Sequence, residues 1–260
     1  MTKRNISTAI FLATALTLCG CKTDSVVKKS DVADYGAAAS AHAPNPDAGK
    51  VSGTIRINGK PPARVKIDMS MDPACAMTAA ENDAEQYMVS NGKLANVYVY
   101  IKAGAAPSKA PANSAPVVLD QKGCRYTPHV IALQQGGSVE FRNSDPTMHN
   151  VHTTPTAGGG NPVIDVSQSP MGQPQTRKFS QPETMLPVRC NNHPWMNAFI
   201  NIADTPYFAV SGADGSFTIG GLPPGNYTVA AVHEKLGEQD MQIVIPPKGA
   251  AKADFTYTMK

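Results

Sequence analysis

Four potential metal ligands in two short stretches constrain this chain of 260 residues more than any other feature. Cys190, His193 and Met196 share one tight loop, and His149 lies on an earlier stretch. A thiolate, two imidazoles and a thioether are soft donors, and two His with one Cys and a weak axial Met favour copper in an electron-transfer site. A tight loop after a strand can turn three ligands toward one face of a metal, so the fourth has to come from another strand. The sequence therefore predicts one mononuclear copper site.

Each of the four residues also has an ordinary explanation when it is taken alone. In an exported protein a Cys can be half of a disulfide, a His can lie on the surface and a Met can fill a gap in the core. A different site on Cys124 and His129 is a weaker alternative, because no third donor lies close to them in the sequence. A quartet of soft ligands is rarely assembled by chance, and we therefore favour copper at the first site.

The two stretches resemble the ligand motifs of the cupredoxins, the small blue copper proteins. Arg-Asn-Ser-Asp at 142–145, followed by His-Asn-Val at 149–151, is similar to the family's strand and first ligand motif. The Cys-x-x-His-Pro-aromatic-Met loop at 190–196 is similar to that of the amicyanin-like members. The resemblance covers residues 115–206 and implies a Greek-key β-sandwich with one type 1 copper site. The ligands it implies are His149, Cys190, His193 and Met196.

The resemblance also implies roles for the neighbours of the ligands. The backbone N–H of Asn150 would donate to the thiolate, a bond that tunes the reduction potential, whereas Pro194 has no N–H to offer. In cupredoxins the His of the Cys loop reaches the surface through an apolar patch where partners dock. That residue is His193 here, and Pro194 and Trp195 would border the patch. We therefore expect a redox protein such as a cytochrome to dock near His193 and Trp195.

The C-terminal segment carries the turn signals of a second sandwich. Asp214-Gly215 separates two alternating strands, and Pro-Pro-Gly at 223–225 marks another turn. Residues 206–258 resemble the carboxypeptidase regulatory-like, transthyretin-like sandwich, which usually opens with a Gly-x-Val-x-Gly strand. That strand is absent after position 206, but Gly-Lys-Val-Ser-Gly occurs at 49–53. We expect the two ends of the chain to complete one sandwich with the copper domain inserted, and two sandwiches in tandem are the alternative.

Alternating apolar residues between these motifs predict short strands and an all-β fold. The expected strands cover 51–57, 93–102, 117–119, 130–133, 138–141, 177–179, 185–189 and 198–202. A turn at Gly136-Gly137 joins two of them, and 158–175 is expected to be a long loop over the domain edge. Residues 71–86 are interpreted as a short helix or an irregular loop. Met69, Met71 and Met77 could form a Cu(I)-binding cluster. Met also fills gaps in cores and lines loops, and we favour this ordinary role for the three residues.

The first twenty residues have the pattern of a secretory signal peptide. Lys3 and Arg4 precede an apolar run at 9–18 that is too short to span a bilayer. Leu-Cys-Gly-Cys at 18–21 resembles the bacterial lipobox, and Cys21 fits the lipid-modified position because the small Gly precedes it. An uncleaved signal anchor is the alternative. Lys22 lacks the Asp that commonly retains lipoproteins at the inner membrane, so we expect a periplasmic, lipid-anchored protein at the outer membrane.

The expected domains follow from these boundaries. They are a lipoprotein signal peptide (1–20), a flexible tether (21–48), the N-terminal strands of the regulatory-like sandwich (49–114), the cupredoxin-like copper domain (115–206) and the C-terminal part of the regulatory-like sandwich (207–260).

The net charge limits the expected binding partners, and the cysteine count suggests a disulfide. Removing the signal peptide deletes two basic residues and lowers the formal net charge from +3 to +1. No strong field then remains to bind nucleic acid, and membrane association would come from the lipid. If Cys190 binds metal, Cys75 and Cys124 are left as an even pair that could close a disulfide in an oxidising compartment.

The remaining histidines give weaker signals. His152 lies three residues beyond His149, so on a strand the two would point to opposite faces, and a separate weak metal site is possible. His129, His152 and His233 are each more often ordinary hydrogen-bonded residues.

The sequence favours electron transfer through copper and leaves copper storage or delivery without redox cycling as the alternative. An adhesion or glycan-binding sandwich with a vestigial site is disfavoured, because the ligands are intact. The sequence has no paired carboxylates, nucleophile elbow or phosphate loop, so we expect a binding protein and not an enzyme.

Overall fold

The structure, a computed structural model, describes residues 45–78 and 83–259. The expected signal peptide, the lipidation site Cys21 and nearly all of the tether lie outside the described residues. Among the residues described, no helix is long and apolar enough to cross a membrane.

Strands dominate the described part of the chain, and one short helix interrupts them. In chain order the elements are β1 Gly49–Asn58, α1 Pro73–Thr78, β2 Val89–Ser90, β3 Lys93–Leu94, β4 Tyr98–Ala103, β5 Val117–Gln121, β6 Tyr126–Thr127, β7 Val130–Gln134, β8 Ser138–Asn143, β9 His149–Thr153, β10 Asp165–Gln168, β11 Gln175–Lys178, β12 Glu183–Arg189, β13 Asn197–Ala203, β14 Phe208–Val210, β15 Ser216–Leu222, β16 Gly225–His233, β17 Gly237–Ile245, β18 Ala250–Lys252 and β19 Phe255–Thr258. The predicted all-β class is confirmed.

The middle of the chain forms one β-sandwich, called the first sandwich below. One sheet has the order β10-β9-β12-β13-β7, and the facing sheet has the order β11-β8-β5-β6. Alternation places every second side chain of β8 inward, so Val139 and Phe141 are fully buried while Arg142 is exposed. Side chains such as Leu119, Leu186 and Ile200 fill the space between the sheets.

The two ends of the chain form the second sandwich together. One sheet has the order β15-β1-β3-β2, with β18 and β19 also paired to β1, and the other has the order β14-β4-β16-β17. Strand β1 therefore lies between β15 on one side and β18 and β19 on the other. Strand β4 lies between β14 and β16 in the same way. These pairings join residues 49–103 to residues 208–258.

Gly53 shows why a glycine signature opens this sandwich. A Cβ at this position would lie 1.9 Å from the carbonyl oxygen of Ala253 and 2.8 Å from the ring of Phe217. The backbone between β18 and β19 therefore approaches β1 too closely for any side chain there.

The two sandwiches pack against each other through the outer faces of one sheet each. Tyr98 and Val232 of the second sandwich form a small apolar cluster with Ala203 of the first. A buried pair lies nearby, with Nε2 of His129 2.6 Å from Oε1 of Glu234.

Two strand predictions were wrong. The predicted strand 93–102 is interrupted, because Asn96 adopts a left-handed backbone conformation (φ 61°) and the chain crosses there from β3 in one sheet to β4 in the other. The region 158–175, predicted as a loop, contains β10, which pairs with β9 from Asp165 to Gln168. Only Gln168 of this strand is buried, so the strand does not need alternating apolar residues. Its sequence therefore gave no signal of a strand.

Residues 67–78, called the cap below, belong with the first sandwich and not with the second, where sequence analysis placed them. The side chains of Met69 and Cys75 are buried in the core of the first sandwich. An isolated bridge between Lys66 and Asp83 closes the base of this excursion, and the side chain of Arg64 donates to the backbone oxygen of Asp83. The open question of helix or loop at 71–86 is resolved by α1, a helix of 6 residues inside the cap.

Candidate metal centre

Three of the predicted ligands converge at one end of the first sandwich. His149 begins β9, whereas Cys190 and His193 lie in the loop that joins β12 to β13. The Cys Sγ and a ring nitrogen of each His lie within 4.8 Å of one another, and all three residues are buried. Strands β9 and β12 are neighbours in one sheet, and this pairing brings the distant His to the loop.

The loop between β12 and β13 is closed by its own backbone. The N–H of Met196 donates to the oxygen of His193 at 2.9 Å, and the N–H of Cys190 donates to the oxygen of Met196 at 3.3 Å. Met196 is 1% exposed and belongs to the same buried cluster as Cys190. The fourth predicted ligand is therefore buried in the same apolar cluster as Cys190.

Two carboxylates orient the imidazoles. Nε2 of His149 lies 2.9 Å from Oδ2 of Asp145, and Nε2 of His193 lies 3.0 Å from Oδ2 of Asp72. An ionised carboxylate only accepts hydrogen bonds, so each Nε2 carries the proton and each Nδ1 of a neutral ring presents a lone pair. The two Nδ1 atoms are 2.9 Å apart. Lone pairs at that distance repel unless a proton or a metal cation lies between them.

The residues fit a copper ion on these grounds. A thiolate and two Nδ1 lone pairs are the donors copper prefers, and they already point toward a common centre. The carboxylates behind the rings fix the tautomers in the way that metal-binding His residues generally require. His149, Cys190 and His193 would hold the ion, and the thioether of the buried Met196 is the remaining donor that the sequence predicted.

The protonation states of Cys190 and His149 depend on burial and on each other. Burial alone would raise the pKa of Cys190 and lower that of His149, because each charged form loses hydration. Hydrogen bonds prevail: His149 and the N–H groups of Asn150 and Asn192 lower the pKa of the Cys190 thiol to about 6. Asp145, with Cys190, raises the pKa of His149 to about 9. Without metal, the site therefore favours a thiolate beside an imidazolium.

Asn150 ties the first ligand strand to the ligand loop. Its N–H donates to Sγ of Cys190 at 3.3 Å, the bond that the resemblance implied. Its side-chain oxygen accepts the N–H of Asn191 at 3.3 Å, and its Nδ2 donates to Oδ1 of Asp165 at 2.8 Å. One side chain thus links β9, β10 and the ligand loop.

His193 does not reach the surface, contrary to the expectation from the resemblance. It is 4% exposed, because Asp72 of the cap covers its outer edge. Asp72 is itself held by the hydroxyl of Thr147 at 2.7 Å and by the N–H of Ala74 at 2.8 Å. The Thr147 bond, opposed by burial and aided by His193, lowers the pKa of Asp72 to about 2.

A disulfide between Cys75 and Cys124 fastens the cap to the first sandwich. This is the pair that the cysteine count left over, and it links positions 49 residues apart. Such a loop corresponds to about 4 kcal/mol in chain-entropy terms. The alternative site on Cys124 and His129 is wrong, because Cys124 is in the disulfide and the ring of His129 pairs with Glu234.

Pro194 and Trp195 occupy different positions at the end of the loop. Pro194 is exposed, whereas Trp195 is half-buried and donates its Nε1–H to the oxygen of Cys124 at 3.1 Å. The rings of Trp195 and His193 lie 5.2 Å apart. Trp195 therefore links the ligand loop to the backbone at the disulfide residue Cys124.

The other residues considered as ligands lie apart from the centre. His152 contacts the side chain of Asn191 at 3.1 Å, and His233 is buried in the second sandwich, where burial lowers its pKa to about 4. Met69 is a core residue, while Met71 and Met77 are 76% and 82% exposed, so the three differ in environment and form no common buried site.

Sequence analysis missed both carboxylates of the centre. Asp145 carried a usable signal, because it lies four residues before His149 at a strand end. Asp72 carried none, since it is 121 residues from its partner His193 and reaches it only through the packing of the cap.

No protein-family model and no curated protein matches this chain. Among solved structures, a Cu-containing nitrite reductase from Thermus scotoductus is 21% identical with a TM-score of 0.33, and the match covers 40% of this chain and 26% of that one. A variant of amicyanin in the Cu(I) state is 20% identical, with a TM-score of 0.31. An oxidised variant of amicyanin is 21% identical, with a TM-score of 0.30. Both amicyanin matches cover 40% of this chain and 98% of the other. Likeness at this level carries no argument about function, so the proposals below rest on the donor geometry.

Proposed function

We propose that this protein is an exported copper-binding lipoprotein that transfers electrons in the periplasm through one mononuclear type 1 site. The observation that carries the proposal is the convergence of Sγ of Cys190 with Nδ1 of His149 and of His193 in a buried site. Copper, when bound, would supply one-electron cycling between Cu(I) and Cu(II). Transfer is fast when ligands barely move, and the protein residues hold the ligands in place through Asp145, Asp72 and the closed loop.

The test is the visible spectrum of the soluble chain loaded with Cu(II). A type 1 site should give an intense visible band from charge transfer between the Cys190 thiolate and the metal, and Cys190→Ser should abolish that band. Met77→Leu, which changes an exposed thioether of the cap, is the matched control and should leave it unchanged. Weak, colourless absorption by the wild type would refute the type 1 assignment.

Copper storage or delivery is the second candidate, and the cap favours it. Asp72 covers the outer edge of His193, the edge through which electrons would otherwise leave toward a partner. The same cover would slow the release of copper. Fast reduction by a small cytochrome together with slow loss of copper to a chelator supports electron transfer. If both the reduction and the loss of copper are slow, storage is supported instead.

We further propose the location and the partners. Lipid on Cys21 would anchor the chain to the outer membrane, and the partner would be a redox protein such as a cytochrome. Since His193 is covered, docking would use exposed Pro194 and the half-buried Trp195 beside it. The neighbours named as copper proteins include one enzyme, and the prediction that this chain is not an enzyme stays a prediction.

The domain boundaries are part of the same proposal. A copper domain at 115–206 would be inserted into a transthyretin-like sandwich formed by residues 49–114 and 207–260. The pairing of β1 with β15, β18 and β19 supports this, as does the position of β4 between β14 and β16. The cap is the part of the N-terminal segment that leaves this sandwich to cover the site.

A further inference from the structure

The disulfide between Cys75 and Cys124 lies directly against the candidate metal centre. Sγ of Cys75 is within 4.8 Å of a ring nitrogen of His193, and Sγ of Cys124 is within 4.8 Å of a ring nitrogen of His149. Each sulfur is also within that distance of the carboxylate that holds the ring. The bond that fastens the cap is therefore formed beside the two imidazoles and not at a remote point of the fold.

All four predicted ligands are closed off from solvent. His149 is 0% exposed, Met196 1%, Cys190 3% and His193 4%. A metal ion can reach them only when part of the structure opens locally. The cap is the segment whose Asp72 covers the outer edge of His193, so opening of the cap gives an ion a route to this ligand.

The disulfide determines how easily the cap can open. Besides the disulfide, the cap is held by noncovalent contacts, such as the hydrogen bond from Thr147 to Asp72 at 2.7 Å and the burial of Met69. Noncovalent contacts break and re-form in local fluctuations, whereas a covalent bond does not. A cap with two thiols in place of the disulfide therefore opens much more often.

The burial of both cysteines sets the order of events. Cys75 and Cys124 are each fully buried when the cap is closed. A disulfide forms by exchange when one thiolate attacks the disulfide of an oxidant and the second thiolate displaces that oxidant, which leaves as a dithiol with both electrons and both protons. The first attack requires an open cap, and the second draws the cap shut. A thiol reductant then has no access to the buried bond.

We propose that the disulfide is a lock that closes over a loaded centre: a metal ion enters while Cys75 and Cys124 are thiols, and formation of the bond then prevents exchange of the ion. The inference rests on the proposed copper function for the identity of the ion. The lock itself concerns the cap and is tested on the metal-free protein, so either proposal can fail while the other stands.

The reaction of histidine with diethylpyrocarbonate, followed at each residue by peptide mass spectrometry, measures the opening of the cap. In the metal-free wild type, His193 should react slowly because Asp72 covers its Nε2. In Cys75→Ala/Cys124→Ala it should react at least about tenfold faster, because the covalent restraint on the open cap is gone. The half-buried His152 is the internal control and should react alike in both proteins. Equal rates at His193 would overturn the proposal.

His233 shows whether the double variant keeps its fold, since this residue is buried in the second sandwich. Where His233 also becomes reactive, wild-type protein refolded in a phosphine reductant takes the place of the variant. Its His193 should again react at least about tenfold faster than in the oxidised wild type. A rate equal to that of the oxidised protein would overturn the proposal in this case as well.

Uptake of Co(II) measures the passage of an ion into the centre. Co(II) does not oxidise thiols, and its binding to the Cys190 thiolate is visible by absorption. Cys75→Ala/Cys124→Ala should take up Co(II) at least about tenfold faster than the oxidised wild type. Asp68→Ala, in an exposed turn of the cap, keeps the disulfide and should match the wild type. Equal uptake by the wild type and the disulfide-free protein would contradict the lock.

Discussion

Asp145 is the buried carboxylate that joins the metal centre to its surroundings, and we expect Asp145→Asn to weaken both. The residue is 3% exposed. Its Oδ1 accepts the N–H of Gly123 at 2.7 Å, and its Oδ2 accepts the N–H of Cys124 at 2.7 Å and Nε2 of His149 at 2.9 Å. All three donors are backbone or ring groups that cannot rotate away.

The magnitude follows from what an Asn amide can replace. Its oxygen can take the place of Oδ2 and keep the bonds to Cys124 and His149, but its NH₂ would then face the N–H of Gly123. One hydrogen bond to a charged acceptor is lost, at about 1.5–3 kcal/mol, and the two that remain are each weakened by about 1 kcal/mol because the acceptor is now neutral. The expected destabilisation of the copper-free protein is therefore about 3–5 kcal/mol, a large share of the roughly 5–15 kcal/mol of a typical domain. Loss of the carboxylate behind His149 should also reduce copper affinity by about 10- to 100-fold.

Urea unfolding of the copper-free protein with its disulfide intact measures the first effect, and competition with a chelator measures the second. Asp120→Asn is the matched control, because among the residues described its carboxylate accepts a hydrogen bond from the exposed hydroxyl of Ser144 alone. It should change stability by less than about 0.5 kcal/mol. A loss below about 1 kcal/mol for Asp145→Asn would refute the view that these bonds hold the site.

The pH dependence of this effect has a definite sign. Burial opposes ionisation of Asp145, but the bonds from His149, Cys124 and Gly123 prevail and lower its pKa in the folded protein. A lowered pKa stabilises the fold above the unfolded value of about 3.9, and this contribution is lost as pH falls through the folded pKa. The stability difference between the wild type and Asp145→Asn should therefore shrink below about pH 4. A constant difference over that range would contradict the assignment.

Three further predictions concern the cap, the anchor and the domains. Asp72→Ala should expose the edge of His193 and speed both the loss of copper to a chelator and reduction by a cytochrome. Asp68→Ala, in an exposed turn of the cap, is the control and should change neither rate. Equal rates in both variants would contradict the role of the cap. Metabolic labelling with a palmitate analogue should mark the full-length protein, and Cys21→Ala should remove the label. A fragment of residues 115–206 should bind copper, while a fragment of residues 206–260 should fail to fold, because β15 and β16 lose β1 and β4. A well-dispersed NMR spectrum from the second fragment would favour the tandem arrangement.

Sequence patterns predicted most of the strands because their causes are local. Apolar alternation and turn residues act within a few positions, and Gly215 indeed adopts the positive φ of 70° that its turn requires. The break between β3 and β4 was missed although the alternation shifts there, because the buried residues Leu94 and Val97 are three positions apart and not two. The buried Ser211 stabilises the crossing: its backbone oxygen accepts the N–H of Asn96, and its hydroxyl accepts the N–H of Val97.

The ligand loop could be predicted from the sequence for the same reason, since Cys190, His193 and Met196 lie within one turn of chain. The carboxylate on His193 could not, because it depends on where a distant segment packs.

The cap connects the second sandwich to the candidate metal centre of the first. The chain leaves the second sandwich after β1, covers His193 through Asp72, and returns to the second sandwich at β2. Both ends of this excursion are therefore fixed by the second sandwich, while the disulfide to Cys124 fixes its middle on the first. The position of the Asp72 carboxylate that covers His193 therefore depends on both sandwiches. We expect access to the candidate metal centre to depend on the packing of the cap as well as on the ligand loop.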